Sequence, residues 1–194
     1  MVMRRVAVAC LAFALAGGCD SASTEDGGSP RLTVPNFQGP AGVALPGIKA
    51  GSPYSLGDLT ICLDRPGSVT ITKVEPRNPY GGLAVDTFAV IPNPQERGED
   101  GFTDQPKALA NLGIQTNQPA IVDHPCPPTT AEPDPNGEPQ SKSLLLQFSK
   151  PTGKTAGDDG LIVKYVSDGQ AHTLTIDFTV ILCAADDTTT EHCQ

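Results

Sequence analysis

The chain has no tryptophan in its 194 residues, and only three tyrosines and six phenylalanines. The buried tryptophan of antibody-type domains is therefore excluded. The aromatic platform of many sugar-binding clefts is thin: Tyr54 and Tyr80 offer one or two contacts, and Tyr165 belongs by its strand pattern to a core. Methionine is absent after position 3, so a thioether metal ligand is lacking. Basic residues are few, 13 Lys and Arg against 22 Asp and Glu. That balance repels phosphate backbones and anionic headgroups, which argues against nucleic acid as a partner. Catalytic signatures are missing too: no Gly-x-Ser-x-Gly, no His-Glu-x-x-His, no Ser-x-x-Lys with its companions. His124, His172 and His192 lie in no nucleophile, metal-helix or phosphate-loop motif. The reading is of a chain that is not an enzyme and carries no cofactor.

No apolar run is long enough to span a bilayer. The longest, residues 6–16, has 11 residues, where a transmembrane helix needs roughly 20 at 1.5 Å per residue. Its surroundings give it another meaning. Arg4 and Arg5 precede it, and Leu15-Ala16-Gly17-Gly18 bring small residues directly before Cys19. This is the layout of a secretory signal, and the cysteine at its end resembles the lipobox of bacterial lipoproteins. The resemblance departs from the commonest pattern in having Ala16 rather than leucine at the third position before the cysteine. It implies cleavage after residue 18, a diacylglyceryl group on Cys19, and a protein held by lipid on the extracytoplasmic face of a cell membrane. More than one acyl chain is what stable attachment requires.

Removal of residues 1–18 would leave 11 of the 13 basic residues against 22 acidic ones, a net charge of −11. Residues 20–29 are polar, and Pro30, Pro35, Pro40, Pro46 and Pro53 then alternate with glycines. Such spacing prevents helix and discourages a central strand. Residues 19–54 are expected to form a lipid-anchored flexible tether, and residues 55–194 one domain with its own core.

Four cysteines fall in that domain: Cys62, Cys126, Cys183 and Cys193. An even number in an exported chain implies two disulfides, with three connectivities allowed. Cys62 and Cys183 both sit opposite the alternating apolar set of their strands. The leading pairing is Cys62 with Cys183 and Cys126 with Cys193; the alternative has each strand cysteine stapling one loop or tail cysteine.

The body of the domain is written in strands. Residues 58–63 and 68–75 flank Asp64-Arg65-Pro66-Gly67 and read as a hairpin. Residues 83–91 and a short segment at 120–123 alternate as strands, whereas 143–149 and 161–166 are the short apolar runs of buried ones. Residues 161–166 and 172–183 are joined through Ser167-Asp168-Gly169-Gln170, and Asp-Gly favours a tight hairpin turn because both central residues need positive φ. About seven strands predict an all-β fold, an immunoglobulin-like antiparallel β-sandwich, with a jelly roll or small barrel as the alternative. One helix is expected, at 105–112, with Thr103 or Asp104 as N-cap, Pro106 in the first turn and Gly113 past the end.

Two long irregular stretches, 92–118 and 126–142, are the first place to seek a binding surface. Acidic and amide side chains that could serve calcium are Glu96, Glu99, Asp100, Asp134, Asn136, Glu138, Asp158 and Asp159, none in a twelve-residue loop with a terminal Glu. His124 lies two residues from Cys126 and His192 beside Cys193, so a small metal-binding or thiol-redox lipoprotein is the alternative function. The favoured reading is a non-catalytic binding or structural module with the membrane, and a protein or envelope component, as partners.

Overall fold

A computed structural model describes residues 28–35, 40–95, 104–127 and 141–193. The strand with the most apolar run, β7 (Lys142–Ser149), shows why the architecture is a layered one. Leu144, Leu146 and Phe148 point to the main core, and Leu145 points the other way into a second, smaller cluster with Leu109 and Ala89. A strand covered on both faces needs no alternation, and each such side chain contributes about 1.5–3 kcal/mol on burial.

Antiparallel to β7 on either side run β3 (Tyr54–Leu63) and β5 (Ala84–Pro92). The two-residue β1 (Leu32–Thr33) completes this first sheet beyond β3. The second sheet has β9 (Leu161–Ser167) and β4 (Val69–Pro76) at its centre, with β10 (Gln170–Ile176) and β6 (Ala120–Val122) at its edges. A third sheet sets β11 (Phe178–Leu182) between β2 (Ala41–Leu45), to which it is parallel, and the two-residue β8 (Ala156–Gly157). All three close over one core, to which Ile61 and Leu146 contribute from the first sheet, Ile71 and Val163 from the second, and Leu45 and Val180 from the third. The fold is thus an all-β sandwich, with eleven strands among the described residues.

That is four more strands than the sequence predicts, and the excess is instructive. β1 and β2 fall within residues 19–54, expected to be tether, yet Leu32 and Leu45 are both buried in the core. Prolines space these strands without entering them: each is short and at a sheet edge, where a missing donor is tolerated. The expected final strand, 172–183, is divided at Asp177 between two sheets, and β8 is too short to be seen as a pattern.

The predicted hairpin of 58–63 with 68–75 does not form. β3 and β4 lie in different sheets, and the exposed turn between them passes from one sheet to the other. The physical reason is that both edges of β3 are already taken, by β7 on one side and β1 on the other. Asp64 N donates to Arg31 O at 3.0 Å, and Arg31 N donates to the Asp64 carboxylate at 2.8 Å. The second predicted hairpin does form: Ser167 pairs Gln170, and Asp168 and Gly169 between them take φ of 48° and 76°.

Only one turn of the expected helix is present, a 3-10 turn at Leu109–Leu112. Asp104 is not its cap, since the chain there is engaged as a bridge: Gln105 and Ser55 exchange backbone hydrogen bonds of 2.8 and 2.9 Å. Thr103 lies outside the described residues. Gly113 does end the turn, at φ 78°. The segment lays Leu109 and Ile114 over the outer face of the first sheet, so part of the predicted loop serves as a lid on β5 and β7.

Candidate functional site

Cys19 lies outside the described residues, as do Glu96, Glu99, Asp100, Asp134, Asn136 and Glu138. The other four cysteines close two disulfides, and the leading pairing is corrected: Cys62 bonds Cys126, with Cα atoms 4.9 Å apart, and Cys183 bonds Cys193, at 5.7 Å. Cys62 and Cys183 belong to different sheets or their ends, and each finds its partner in the segment that folds over its own strand. Leu63 N donates to His124 O, and Cys126 N donates to Leu63 O, which lays residues 124–126 along the end of β3 and beneath Thr33. The Thr33 hydroxyl is 2.9 Å from Cys126 Sγ.

The two His-Cys pairs therefore end in separate disulfides with their sulfurs bonded. His124 Nδ1 is 2.6 Å from the Asp123 carboxylate, which Lys142 Nζ also meets at 3.2 Å. His192 borders a shallow groove of about 410 Å³ along β2 and β11, walled by Ala41, Gly42, Thr179 and Ile181. No group of three or more His, Cys, Asp or Glu suited to a metal occurs among the described residues. His172 stacks on Tyr165 with ring centroids 5.4 Å apart.

A second groove of about 410 Å³ opens where β5 and β6 face each other across the sandwich. Ile71, Val74, Phe88 and Ala120 form apolar wall, with Thr87 and Gln118 among its polar groups. Lys73 and Asp86 add one charge of each sign to its lining.

Titratable groups gather instead at one end of the sandwich, where β4 passes to β5 through residues 77–83. This crossover is tight: Asn78 and Gly81 take φ of 46° and 64°, and a Cβ on Gly81 would lie 2.7 Å from Ala156 Cα. Tyr80 pairs by backbone with Gly157, and its ring covers that glycine so closely that a Cβ there would meet the Tyr80 hydroxyl at 2.5 Å. Arg77 Nε and Nη1 donate to Asp159 and Asp177, both at 2.8 Å, and Nη2 to Asp159 O. Asn78 Nδ2 donates to Asp159 at 2.8 Å. The two nominal calcium ligands thus part: Asp159 answers a guanidinium, and Asp158 turns inward.

Asp158 is 5% exposed. Its Oδ1 accepts from Val180 N at 2.8 Å, and its Oδ2 is buried without a partner. Burial raises its pKa from 3.8 to about 6, against the Val180 and Gly160 N–H groups that favour the carboxylate. Tyr80 is also raised, by burial and then by Asp158 and Asp187 nearby. Close by, the fully buried Lys150 donates to the carbonyls of Lys154, Leu182 and Cys183 at 2.9, 3.2 and 3.1 Å. Its pKa is lowered by burial, partly offset by Asp187. Asp187 organises the tail: it accepts from Thr155, Thr189 and Thr190, and these bonds, that of Thr155 first, hold its carboxyl far below the ordinary range. Sequence reasoning named Asp158, Asp159 and Tyr80 but missed Arg77, Lys150, Asp177 and Asp187 and the way they meet. A lysine inside an apolar stretch end and an Asp-Asp pair before Gly160 carry no motif.

No family model matches the chain, and no match arises among curated proteins. Among solved structures, it is similar to part of a family 123 glycoside hydrolase from Clostridium perfringens, described for glycolipid glycan hydrolysis. The identity is 7% and the TM-score 0.34, with 80% of this chain and 27% of that one covered. The chain thus spans about a quarter of that enzyme, and a likeness at this level carries no argument about activity.

Proposed function

We propose that the chain is an exported lipoprotein, attached through Cys19 to the extracytoplasmic face of a cell membrane, whose sandwich acts as a non-catalytic binding or structural module. The observation that carries this reading is the oxidised state of all four cysteines of the domain, Cys62–Cys126 and Cys183–Cys193, which belongs to an oxidising compartment. The signal-like segment before Cys19 points to the same compartment. The metal or thiol-redox alternative draws no support from the geometry, because Cys126 and Cys193, the sulfurs it needs, are each bonded to a strand cysteine. A binding role is favoured by Tyr80, a large hydrophobic side chain left exposed on the surface.

The test is the mass of the N-terminal peptide from cells expressing the full chain. A peptide beginning at Cys19 with a diacylglyceryl adduct, lost in Cys19→Ser, is expected. An uncleaved N-terminus, or cleavage with an unmodified Cys19, would overturn the attachment, and an alkylatable Cys126 or Cys193 in the unreduced protein would restore the redox alternative.

A further inference from the structure

We infer that the free edge of β10 is a self-association surface: two copies of the chain pair their β10 strands antiparallel about Thr173, joining two four-stranded sheets into one. The pairing draws on β9 and β10 alone and stands whether or not Cys19 carries lipid.

β10 runs from the entry end of the sandwich, where the Ser167 hydroxyl donates to Pro30 O at 2.8 Å, to the end bearing Arg77. Among the described residues its one strand neighbour is β9. The hairpin sets which of its backbone groups stay unpaired. Ser167 and Gln170 flank the two-residue turn and close it as a hydrogen-bonded pair, and antiparallel pairs alternate from there. Gln170, His172, Leu174 and Ile176 therefore give their N–H and C=O groups to β9, whereas those of Ala171, Thr173 and Thr175 point outward. These three residues are exposed.

Every other sheet edge is blunted. β1 and β8 have two residues each and β6 three. β2 has five and lies between Pro40 and Pro46. β5 is long, but it is bulged between Val85 and Thr87, carries Asp86 and ends in Pro92. Short length, proline, charge and bulges are the devices by which an edge avoids pairing with another chain. β10 has none of them: its seven residues pair β9 without a shift of register, and Gln-Ala-His-Thr-Leu-Thr-Ile contains no proline and no Lys, Arg, Asp or Glu.

A second copy is the occupant because this edge is its own complement. With Thr173 on the two-fold axis, Thr173 of one copy meets Thr173 of the other, and Ala171 meets Thr175 on either side. Each of these pairs exchanges two hydrogen bonds, so all the outward N–H and C=O groups of both strands are satisfied. On the inner face, half-buried Leu174 of one copy lies against His172 of the other, which already stacks on Tyr165.

Charge permits contact along this strip. The chain has a net charge of −9, so two copies repel one another except where both are neutral. Lys164, beside Thr173 on β9 and paired with Glu75, stands three strand spacings from its counterpart. That is about 14 Å, beyond a screening length of about 8 Å. At each end of the seam, Asp168 of one copy comes beside Asp177 of the other, which Arg77 holds at 2.8 Å while also holding Asp159. Salt weakens what repulsion is left between these exposed groups. The strip is about 24 Å long and one layer of side chains, about 10 Å, wide. Roughly 240 Å² per copy is well under the roughly 800 Å² of a stable complex, which makes the pair a reversible one.

The experiment traps the register in full-length protein held in non-ionic detergent under mild oxidation, with the wild type alongside as background. Thr173→Cys is expected to give a disulfide-linked dimer, since a hydrogen-bonded pair sets its Cα atoms about 5.5 Å apart, inside the range that a disulfide accepts. Thr175→Cys alone should not link, because its two copies lie about 14 Å apart along the strands. Mixed with Ala171→Cys it should link to that variant, at least about tenfold more than alone. Equal linking of Thr173→Cys and Thr175→Cys, or none from Thr173→Cys, would overturn the pairing. Sedimentation of the unlinked protein is the second measurement. A dimer fraction that rises with concentration across the micromolar to millimolar range is expected, with affinity at least about tenfold lower in Thr173→Lys and thermal unfolding unchanged. A wild type that stays monomeric throughout, or a dimer that Thr173→Lys leaves intact, would equally overturn it.

Discussion

The two ends of the sandwich are held together by different physics. The entry end is covalent and main-chain in character: a disulfide across 64 residues joins β3 to the segment after β6, and β1 adds backbone pairing beside it. The opposite end relies on charge. A buried lysine caps three carbonyls, a buried carboxyl answers backbone N–H groups, an arginine spans two aspartates, and the disulfide there closes only a ten-residue tail. The difference teaches which variable each end senses. The first is sensitive to reduction and, through the lowered carboxyls of Asp64 and Asp123, to acid; the second holds a buried carboxyl that titrates at about 6, and its disulfide is backed by the hydrogen bonds of Asp187.

The largest effect that would sharpen this contrast comes from removing the long cross-link. In Cys62→Ala/Cys126→Ala, the unfolded chain regains the entropy of the 64-residue loop, worth about 4 kcal/mol on a chain-entropy basis. Urea unfolding at neutral pH measures it, and a loss under about 1 kcal/mol would break the comparison.

Next comes the buried carboxyl. Asp158 binds its proton more tightly folded than unfolded, since its pKa rises from 3.8 to about 6. Its contribution to stability is therefore greatest below about pH 4 and is lost as pH rises toward 6, a span on the order of 3 kcal/mol. Asp158→Asn keeps the acceptor for Val180 and removes the charge. The variant should be more stable than wild type at pH 7 by up to about 3 kcal/mol, with the gap closing near pH 4. A gap of the same size at both pH values would show that ionisation of Asp158 is not the cause.

The smallest effect is expected from Cys183→Ala/Cys193→Ala. The entropy of a ten-residue loop sets a ceiling of about 3 kcal/mol, and fraying of the tail would lower the observed value. Hydrogen exchange should localise the change to residues 184–193. Destabilisation matching that of the long cross-link would mean that the tail, and not the charge network, supports this end.

Legibility followed the range of the interaction. The hairpin at Asp168-Gly169 was readable because positive φ at two adjacent positions is a local demand. The run 144–146 identified a strand buried on both faces for the same local reason. The turn at 64–67 misled, because a turn says that the chain reverses and not whether it returns to the same sheet. Leu32 and Leu45 were hidden among prolines and glycines, where two to five residues give too short a period to recognise.

The sequence by itself determined the all-β class, the acid balance, the even set of domain cysteines and the expectation of an anchor at Cys19, since composition, period two and a terminal signal are properties of neighbouring residues. Tertiary structure alone decided which cysteines meet, that the presumed tether enters the core, and that Lys150 and Asp158 are buried. Those outcomes depend on which strand edge is already occupied and which carbonyls and N–H groups converge. Most of these contacts join residues far apart in the chain, and no local pattern encodes them.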